Sequence, residues 1–332
     1  MRIMLFADIS ISRSQWVPKM QLSDRIGRRM KLHDLHVLMA VVQAGSMSKA
    51  AQILNTTQPA VSRSIADLEH AIGVRLLDRS RHGVEPTEYG RALLDGGTAM
   101  FDDLRQAVTR IEFLADPTVG EVRIGTHDPI MIGVLPAVYD KLRRKYPRVS
   151  IHVTPIVPSA QQYRGLRERK LDIFLGRMTP PIEEDIRAEI LFEDRVVVVA
   201  GPKSRWARRR KVKLSELADD PWCLPLPDTT VGSLAAEAFR SLGMKYPPAG
   251  VAWGSPSLVC ALLPRGPFLG TFPASLLRFG ANLPHLKVLP VTLPIPPWPV
   301  GIMSLKNRTL TPVVQLFIDC AREVTKQMGR KS

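Results

Sequence analysis

Apolar residues recur along this chain with two different periods, and the change between them divides it. Residues 1 to 29 show no sustained period, and Met30 stands directly before the first amphipathic run, so this stretch reads as a flexible arm or an over-long start assignment. From Leu35, the residues Leu38, Met39 and Val42 fall at i+3, i+4 and i+7, which sets four apolar side chains on one helical face. Gly45 ends that helix and Ser46 can cap the next, in which Ala50, Ala51 and Leu54 face inward. The small side chains there let two helices approach closely. A third helix follows a short turn: Thr57 is the predicted N-cap, Pro59 suits the first turn, and Val61, Ile65, Leu68 and Ile72 repeat at spacings of 4, 3 and 4. The face opposite that stripe carries Gln58, Ser62 and Arg63, all near the helix start. Beyond Gly73 the segments from Leu76 to Arg79 and from Val84 to Thr87 read as a short hairpin, with Arg81 and His82 forming a basic tip.

Thr87 is a suitable N-cap for a long helix reaching about Leu114, along which Leu94, Gly97, Phe101, Leu104, Val108 and Ile111 repeat at 3, 4, 3, 4 and 3. That spacing predicts a coiled-coil seam between two copies of the chain, weakened locally by the Gly96 and Gly97 pair. The alternative is a helix packed on its own chain. Asp116, Pro117 and Thr118 then break the helix.

From Glu121 the pattern becomes an alternation of strands and helices. Strands are predicted at Val122 to Gly125, Ile151 to Thr154, Leu171 to Gly176 and Val196 to Ala200, with helices at Val134 to Lys145 and Gln161 to Arg169. A second set begins near Pro221: strand Trp222 to Leu224, helices Val231 to Leu242 and Ser257 to Leu263, and strand Phe268 to Phe272. Strand Val300 to Leu305 and helix Thr311 to Met328 return to the first lobe. Such alternation predicts parallel sheets flanked by helices, in two lobes with a cleft beyond the strand ends.

Composition narrows the class. The 332 residues suffice for two or three domains, and 45% hydrophobic with 23% charged residues is the balance of an ordinary globular protein. The first seven residues are too short an apolar run for a signal peptide, and no run is long enough for a membrane span, so a cytoplasmic protein with no membrane partner is expected. Cys223, Cys260 and Cys320 are few and far apart, fitting neither a disulfide framework nor a zinc site. The formal charge of +15 invites a nucleic-acid reading, but it is unevenly spread. Residues 1 to 30 hold 6 basic and 2 acidic residues, residues 31 to 116 hold 9 and 11, and residues 117 to 332 hold 31 and 18. Any DNA contact therefore rests on the local motif. The bulk charge suits an anionic ligand or simple solubility, and the run Arg208, Arg209, Arg210, Lys211 and Lys213 reads as a solvated segment.

Residues 35 to 90 resemble the winged helix-turn-helix of LysR-type transcriptional regulators. Ala50 and Ala51, the run Gln58 to Arg63, Leu68 with Glu69, Gly73, the corner Leu76 to Arg79 and the exit Thr87 to Gly90 hold the family register over more than fifty residues. Leu77 stands where Phe is usual, and Leu38 where Phe is common. The resemblance implies an α/β chain overall: an arm at 1–30, a winged helix-turn-helix at 31–88, a linker and dimerisation helix at 89–116, and an effector-binding domain at 117–332. That last domain is similar to type 2 periplasmic binding proteins, with lobe I at about 120–200 and 297–328 and lobe II at about 201–296.

By the same resemblance Gln58, Pro59, Ser62 and Arg63 meet the major groove of double-stranded DNA, Ser46, Ser48 and Lys49 meet phosphates, and Arg81 with His82 makes the wing contact. Arg79 either braces the wing or touches DNA. The effector cleft would use Thr126, His127 and Asp128 from one lobe and Thr229, Thr230 and Ser255 from the other. Hydroxyls beside helix starts suit an anion, whereas Asp128 suits the hydroxyls of a sugar-like metabolite, so the two readings stay open. His127 can equally be a structural hydrogen-bonder, and Asp128 a helix cap. Self-association into dimers and tetramers and contact with RNA polymerase are further implications. The rival classes are a metabolic enzyme with an accessory helix-turn-helix and a soluble ligand-binding protein. No catalytic motif such as GxSxG, GxGxxG, GKS/T or HExxH is present, and no metal or cofactor is expected; His33 and His36 lack a third ligand nearby.

Overall fold

The computed structural model describes residues 30–80, 83–159, 161–279 and 285–326. The arm before residue 30 and the wing-tip residues Arg81 and His82 lie outside the described residues. By contact density the chain divides into two units, one up to Asp103 and one from Leu104.

In the first unit the apolar stripes form a three-helix core. Helices α1 (Leu32–Ala44), α2 (Met47–Ile53) and α3 (Gln58–Ile72) bury Leu35, Leu38, Ala50, Val61, Ile65 and Leu68 against one another. Gly45 and Gly73 end α1 and α3 in the left-handed region, at φ 65° and 88°, where a side chain is unfavourable. Strands β1 (Leu77–Ser80) and β2 (Gly83–Pro86) pair antiparallel as the predicted hairpin. The Val84 amide donates to the Gly45 carbonyl at 3.1 Å, pinning the hairpin to the turn between α1 and α2.

Helix α4 (Glu88–Ala115) starts at Thr87, whose Oγ1 accepts from the Gly90 amide at 3.0 Å and donates to the Arg75 carbonyl at 2.9 Å. The predicted seam along α4 is divided. Leu94 and Phe101 pack on the core of the helix-turn-helix, and Gly97 lies against Leu35. Leu104, Val108 and Ile111 remain exposed, as does Leu114. A small core left open beside Leu35 takes up the first apolar half of the helix, so only the second half is available to a partner.

The second unit holds β3 (Val119–Thr126), α5 (Asp128–Ile132), α6 (Val134–Lys145), β4 (Arg148–Pro155), α7 (Arg164–Arg167), β5 (Ile173–Arg177), β6 (Ile186–Asp194) and β7 (Val196–Ala200). It continues through β8 (Trp222–Pro225), α8 (Thr230–Ser241), β9 (Ala249–Trp253), α9 (Pro256–Leu262), β10 (Leu269–Pro273), α10 (Ala274–Phe279), β11 (Lys287–Val288), β12 (Trp298–Leu305) and α11 (Pro312–Thr325). Two five-stranded sheets result, ordered β4-β3-β5-β12-β6 and β11-β7-β10-β8-β9. The expectation of parallel sheets is corrected here. β12 runs antiparallel to β5 and β6, and β7 runs antiparallel to β10 and β11. The cause is connectivity: the chain crosses between sheets through Arg195 alone and returns as β12, and neither crossing has room for a helical crossover.

Three strands, β6, β9 and the two-residue β11, add to the predicted set. β6 lacks a clean alternation, and β9 is built largely from small residues. The helix predicted at Gln161 to Arg169 shrinks to α7, because Arg169 turns into the left-handed region at φ 54°. Helices α6 and α11 cover the first sheet with Leu135, Val138, Leu142, Val314 and Phe317. The segment Arg208 to Lys211 is solvent-exposed outside any helix, and Cys223 is fully buried, its thiol pushed up by desolvation.

Candidate nucleic-acid interface and ligand cleft

The start of α3 follows from its cap. Thr57 is extended and its Oγ1 accepts from the Ala60 amide at 3.4 Å, while Pro59 occupies the first turn, where no amide is needed. Gln58, Pro59 and Arg63 are exposed and Ser62 is half-buried, on the face opposite the buried Val61, Ile65 and Leu68. On α2, Ser48 and Lys49 are exposed, and Ser46 occupies the N-cap position without a side-chain capping bond. Arg79 on β1 is exposed. Glu69 does something the sequence did not reveal. Its Oε1 accepts from the amides of Leu76 at 2.7 Å and Leu77 at 3.2 Å, so one carboxylate from α3 fixes where the wing begins. A carboxylate eight residues before the strand it braces leaves no periodic signal.

The second unit carries a cleft of about 280 Å³ between its two sheets. It lies beyond the ends of the parallel strands, at Pro155 of β4, Arg177 of β5, Trp253 of β9 and Pro273 of β10, and is closed by Trp298 at the start of β12. Of the residues expected there, His127, Asp128 and Ser255 line it. Thr126 and Thr229 do not, and the expectation is corrected for both. Thr126 is wholly buried and its hydroxyl donates to the Leu175 carbonyl at 2.6 Å. Thr229 is the cap of α8, accepting from the Gly232 amide at 3.1 Å and donating to the Leu226 carbonyl at 2.7 Å. In both residues the backbone takes up the hydroxyl. The side chain of Thr230 lies outside the described residues.

Asp128 is the first residue of α5 and not its cap, a position that His127 holds without a side-chain capping bond, so that expectation is corrected. Ser255, the cap of α9, donates to Asp128 Oδ2 at 2.5 Å and so ties the two lobes across the cleft. Asp194, also lining the cleft, accepts from the Arg195 amide at 3.0 Å, from the Ser275 amide at 3.1 Å and from the Ser275 hydroxyl. Burial pushes its carboxyl above the usual range, and those hydrogen bonds oppose the shift.

Sequence reasoning missed Arg177, Trp253 and Trp298. The Arg177 guanidinium lies over the Trp298 ring at 4.3 Å from its centroid. His127 sits edge-on to Phe174 at 5.0 Å, and burial together with the Arg177 charge lowers its pKa to about 4, leaving the ring neutral near pH 7.

A winged helix-turn-helix whose third helix starts with an exposed polar face, joined in one chain to a two-sheet domain with a cleft, defines a DNA-binding protein with a separate ligand-sized pocket. Comparison with known proteins agrees. The family model described as "Bacterial regulatory helix-turn-helix protein, lysR family" matches residues 32–91, and that described as "LysR substrate binding domain" matches residues 115–326. The chain is 26% identical over 309 residues to the HTH-type transcriptional regulator YdcI of Escherichia coli (strain K12), covering 92% of this chain and 99% of that protein. It is 31% identical over 218 residues to the HTH-type transcriptional activator CmpR of Synechocystis, covering 63% and 68%. Among solved structures it is similar to full-length CbnR complexed with its target DNA, at TM-score 0.60 and 20% identity over 89% of this chain and all of that one. It is also similar to a full-length OxyR variant from Pseudomonas aeruginosa, at TM-score 0.61 and 19% identity over 88% and 98%. The chain belongs to the LysR family and is a DNA-binding transcriptional regulator. Among the described residues, no helix is long and apolar enough to cross a membrane.

Proposed function

We propose that the regulator reads DNA through the start of α3 and answers to a small metabolite held between the lobes of its second unit. The observation that carries the DNA half is the exposed polar face of Gln58, Pro59 and Arg63 backed by the buried stripe of the same helix. Gln58, Ser62 and Arg63 would face base edges, and Ser46, Ser48 and Lys49 would face phosphates near helix starts whose amides favour anions. Arg81 and His82 would add the wing contact. The exposed half of α4, from Leu104 to Leu114, supports pairing of two chains, and hence a partly palindromic target. Pairing of dimers into tetramers, contact with RNA polymerase, residence in the cytoplasm and absence of catalysis complete the reading.

The ligand half rests on the cleft and on the Ser255 to Asp128 hydrogen bond that spans it. A metabolite making contacts with both lobes stabilises their closed arrangement, and its differential affinity sets how far the equilibrium moves. That change would alter how the paired winged domains lie on DNA.

Arg63→Ala tests the DNA half. Its affinity for the specific site upstream of its own gene should fall by about 1 to 3 kcal/mol, with random DNA much less affected. Fluorescence anisotropy against both duplexes measures this. An equal loss on both would make Arg63 a phosphate contact, and no loss would remove it from the interface.

A further inference from the structure

Among the described residues, three nitrogens on the cleft lining are buried with no hydrogen-bond partner: Arg177 Nε, Trp253 Nε1 and His127 Nε2. A buried donor left unpaired costs free energy, and native proteins leave few such groups. All three belong to side chains that line one cavity, which is information about what fills it. Two of them, on Arg177 and Trp253, can only donate. The two carboxylates that share the cleft hold protein hydrogen bonds of their own, and neither reaches Arg177 Nε. Asp128 accepts from Ser255, and Asp194 accepts from Ser275 and the Arg195 amide. What the cavity lacks is an acceptor beside Arg177, supplied from outside the protein.

Most of the remaining wall is apolar and partly flat, with side-chain hydroxyls at Ser159, Thr179, Ser255 and Thr271. Trp298 and Trp253 bound the space from opposite sheets, and Ile156, Val196, Phe272 and Val300 fill much of the rest. A polyol would leave most of its hydroxyls against these side chains without partners. Arg177 is stacked on Trp298, so its planar N–H edge is held in one orientation, suited to the two oxygens of a carboxylate.

We infer that the effector is a small carboxylate with a flat apolar body and no ammonium group, its carboxylate on Arg177 and its body between Trp253 and Trp298. This resolves the choice between an anion and a sugar-like metabolite, and it rests on the cleft being the effector site, as proposed above. The neutral state of His127 fits the same picture, because the ring then offers one nitrogen without adding a second full charge.

The test uses the full chain and four probes: 3-phenylpropanoate, its neutral amide, L-phenylalanine, which differs from it by one ammonium group, and glucose. Calorimetry gives affinity, and quenching of tryptophan emission follows occupancy of a cleft walled by two of the chain's five tryptophans. 3-Phenylpropanoate should bind, with the amide and L-phenylalanine at least about tenfold weaker and glucose silent. Arg177→Gln should weaken the carboxylate by about tenfold or more while leaving the amide unchanged. Val231→Trp, which narrows the cleft from the start of α8, should weaken both, and a circular-dichroism melt confirms that each variant is folded. Tighter binding of the amide or of L-phenylalanine overturns the carboxylate class, as does failure of 3-phenylpropanoate to bind at millimolar concentration. Glucose binding that Val231→Trp abolishes also overturns the class but leaves the cleft as the site. Carboxylate binding untouched by both Arg177→Gln and Val231→Trp overturns the cleft itself.

Discussion

Gly90→Ala should destabilise the winged domain by about 1 to 3 kcal/mol or more, the range for forcing extra volume into a packed site. A Cβ at this position would stand 2.1 Å from the Leu76 carbonyl oxygen and 3.3 Å from the Pro86 side chain. The obstacle is backbone, which cannot swing aside as a side-chain end can. Relief would require α4 to withdraw from β1, breaking the cap that Thr87 makes to the Gly90 amide and to the Arg75 carbonyl. Gly96→Ala, on the same helix, is the matched control. Nothing lies within 4 Å of its added carbon, so it should stabilise by about 0.5 to 1 kcal/mol through helix propensity. Amide exchange of residues 35 to 101 in the full chain, under native conditions, separates the two. Equal protection in both variants would show that the approach of α4 to β1 is not tight.

Asp172→Ala should cost about 3 to 5 kcal/mol in the second unit, because it strands charge that the fold has buried. The carboxylate accepts from the Arg123 amide at 2.8 Å, from Arg123 Nη2 at 2.5 Å and from Arg308 Nη2 at 2.7 Å. Arg308 is only 5% exposed, and its Nη1 donates to the Leu171 carbonyl at 2.6 Å. One acidic residue thus joins β3, the entry to β5 and the turn after β12. Asp172→Asn keeps the volume and one of the two acceptor oxygens, and should lose less. Urea unfolding of the full chain, followed by tryptophan emission, measures both, since Trp206, Trp222, Trp253 and Trp298 all lie in this unit. A loss under about 1 kcal/mol for Asp172→Ala would mean that Arg308 finds water or another partner when the carboxylate is gone.

How much of this was visible in the sequence depends on the range of the interactions involved. The helix-turn-helix was legible because its signals are local: a 4-3-4 stripe from Val61 to Ile72, glycines at 45 and 73 in left-handed backbone, and Thr57 and Thr87 at caps. The division of α4 was not, because a seam of period 3.5 looks the same whether its partner is a second chain or the chain's own Leu35. His127, Asp128 and Ser255, expected from their place beside strand exits and helix starts, line the cleft. Thr126 and Thr229 shared that signature and failed, since whether a hydroxyl faces solvent or a carbonyl is decided by packing. Arg177, Trp253 and Trp298 stand far apart in the chain and meet only because two sheets bring their strand ends together. The Asp172 cluster is the same case, with partners 49 and 136 residues away.

Hydrogen exchange of the full chain with and without its specific duplex examines the start of α3 directly. At the start of α3 the Gln58 amide has no partner within the helix, Pro59 has no amide and the Ala60 amide is held only by Thr57 Oγ1 at 3.4 Å, so this turn exchanges fast unless something covers it. Added specific DNA should slow exchange at residues 58 to 63, with random DNA at the same concentration slowing it far less. Tight, sequence-selective binding that leaves these amides as fast as in the free protein would contradict the assignment of this surface to DNA.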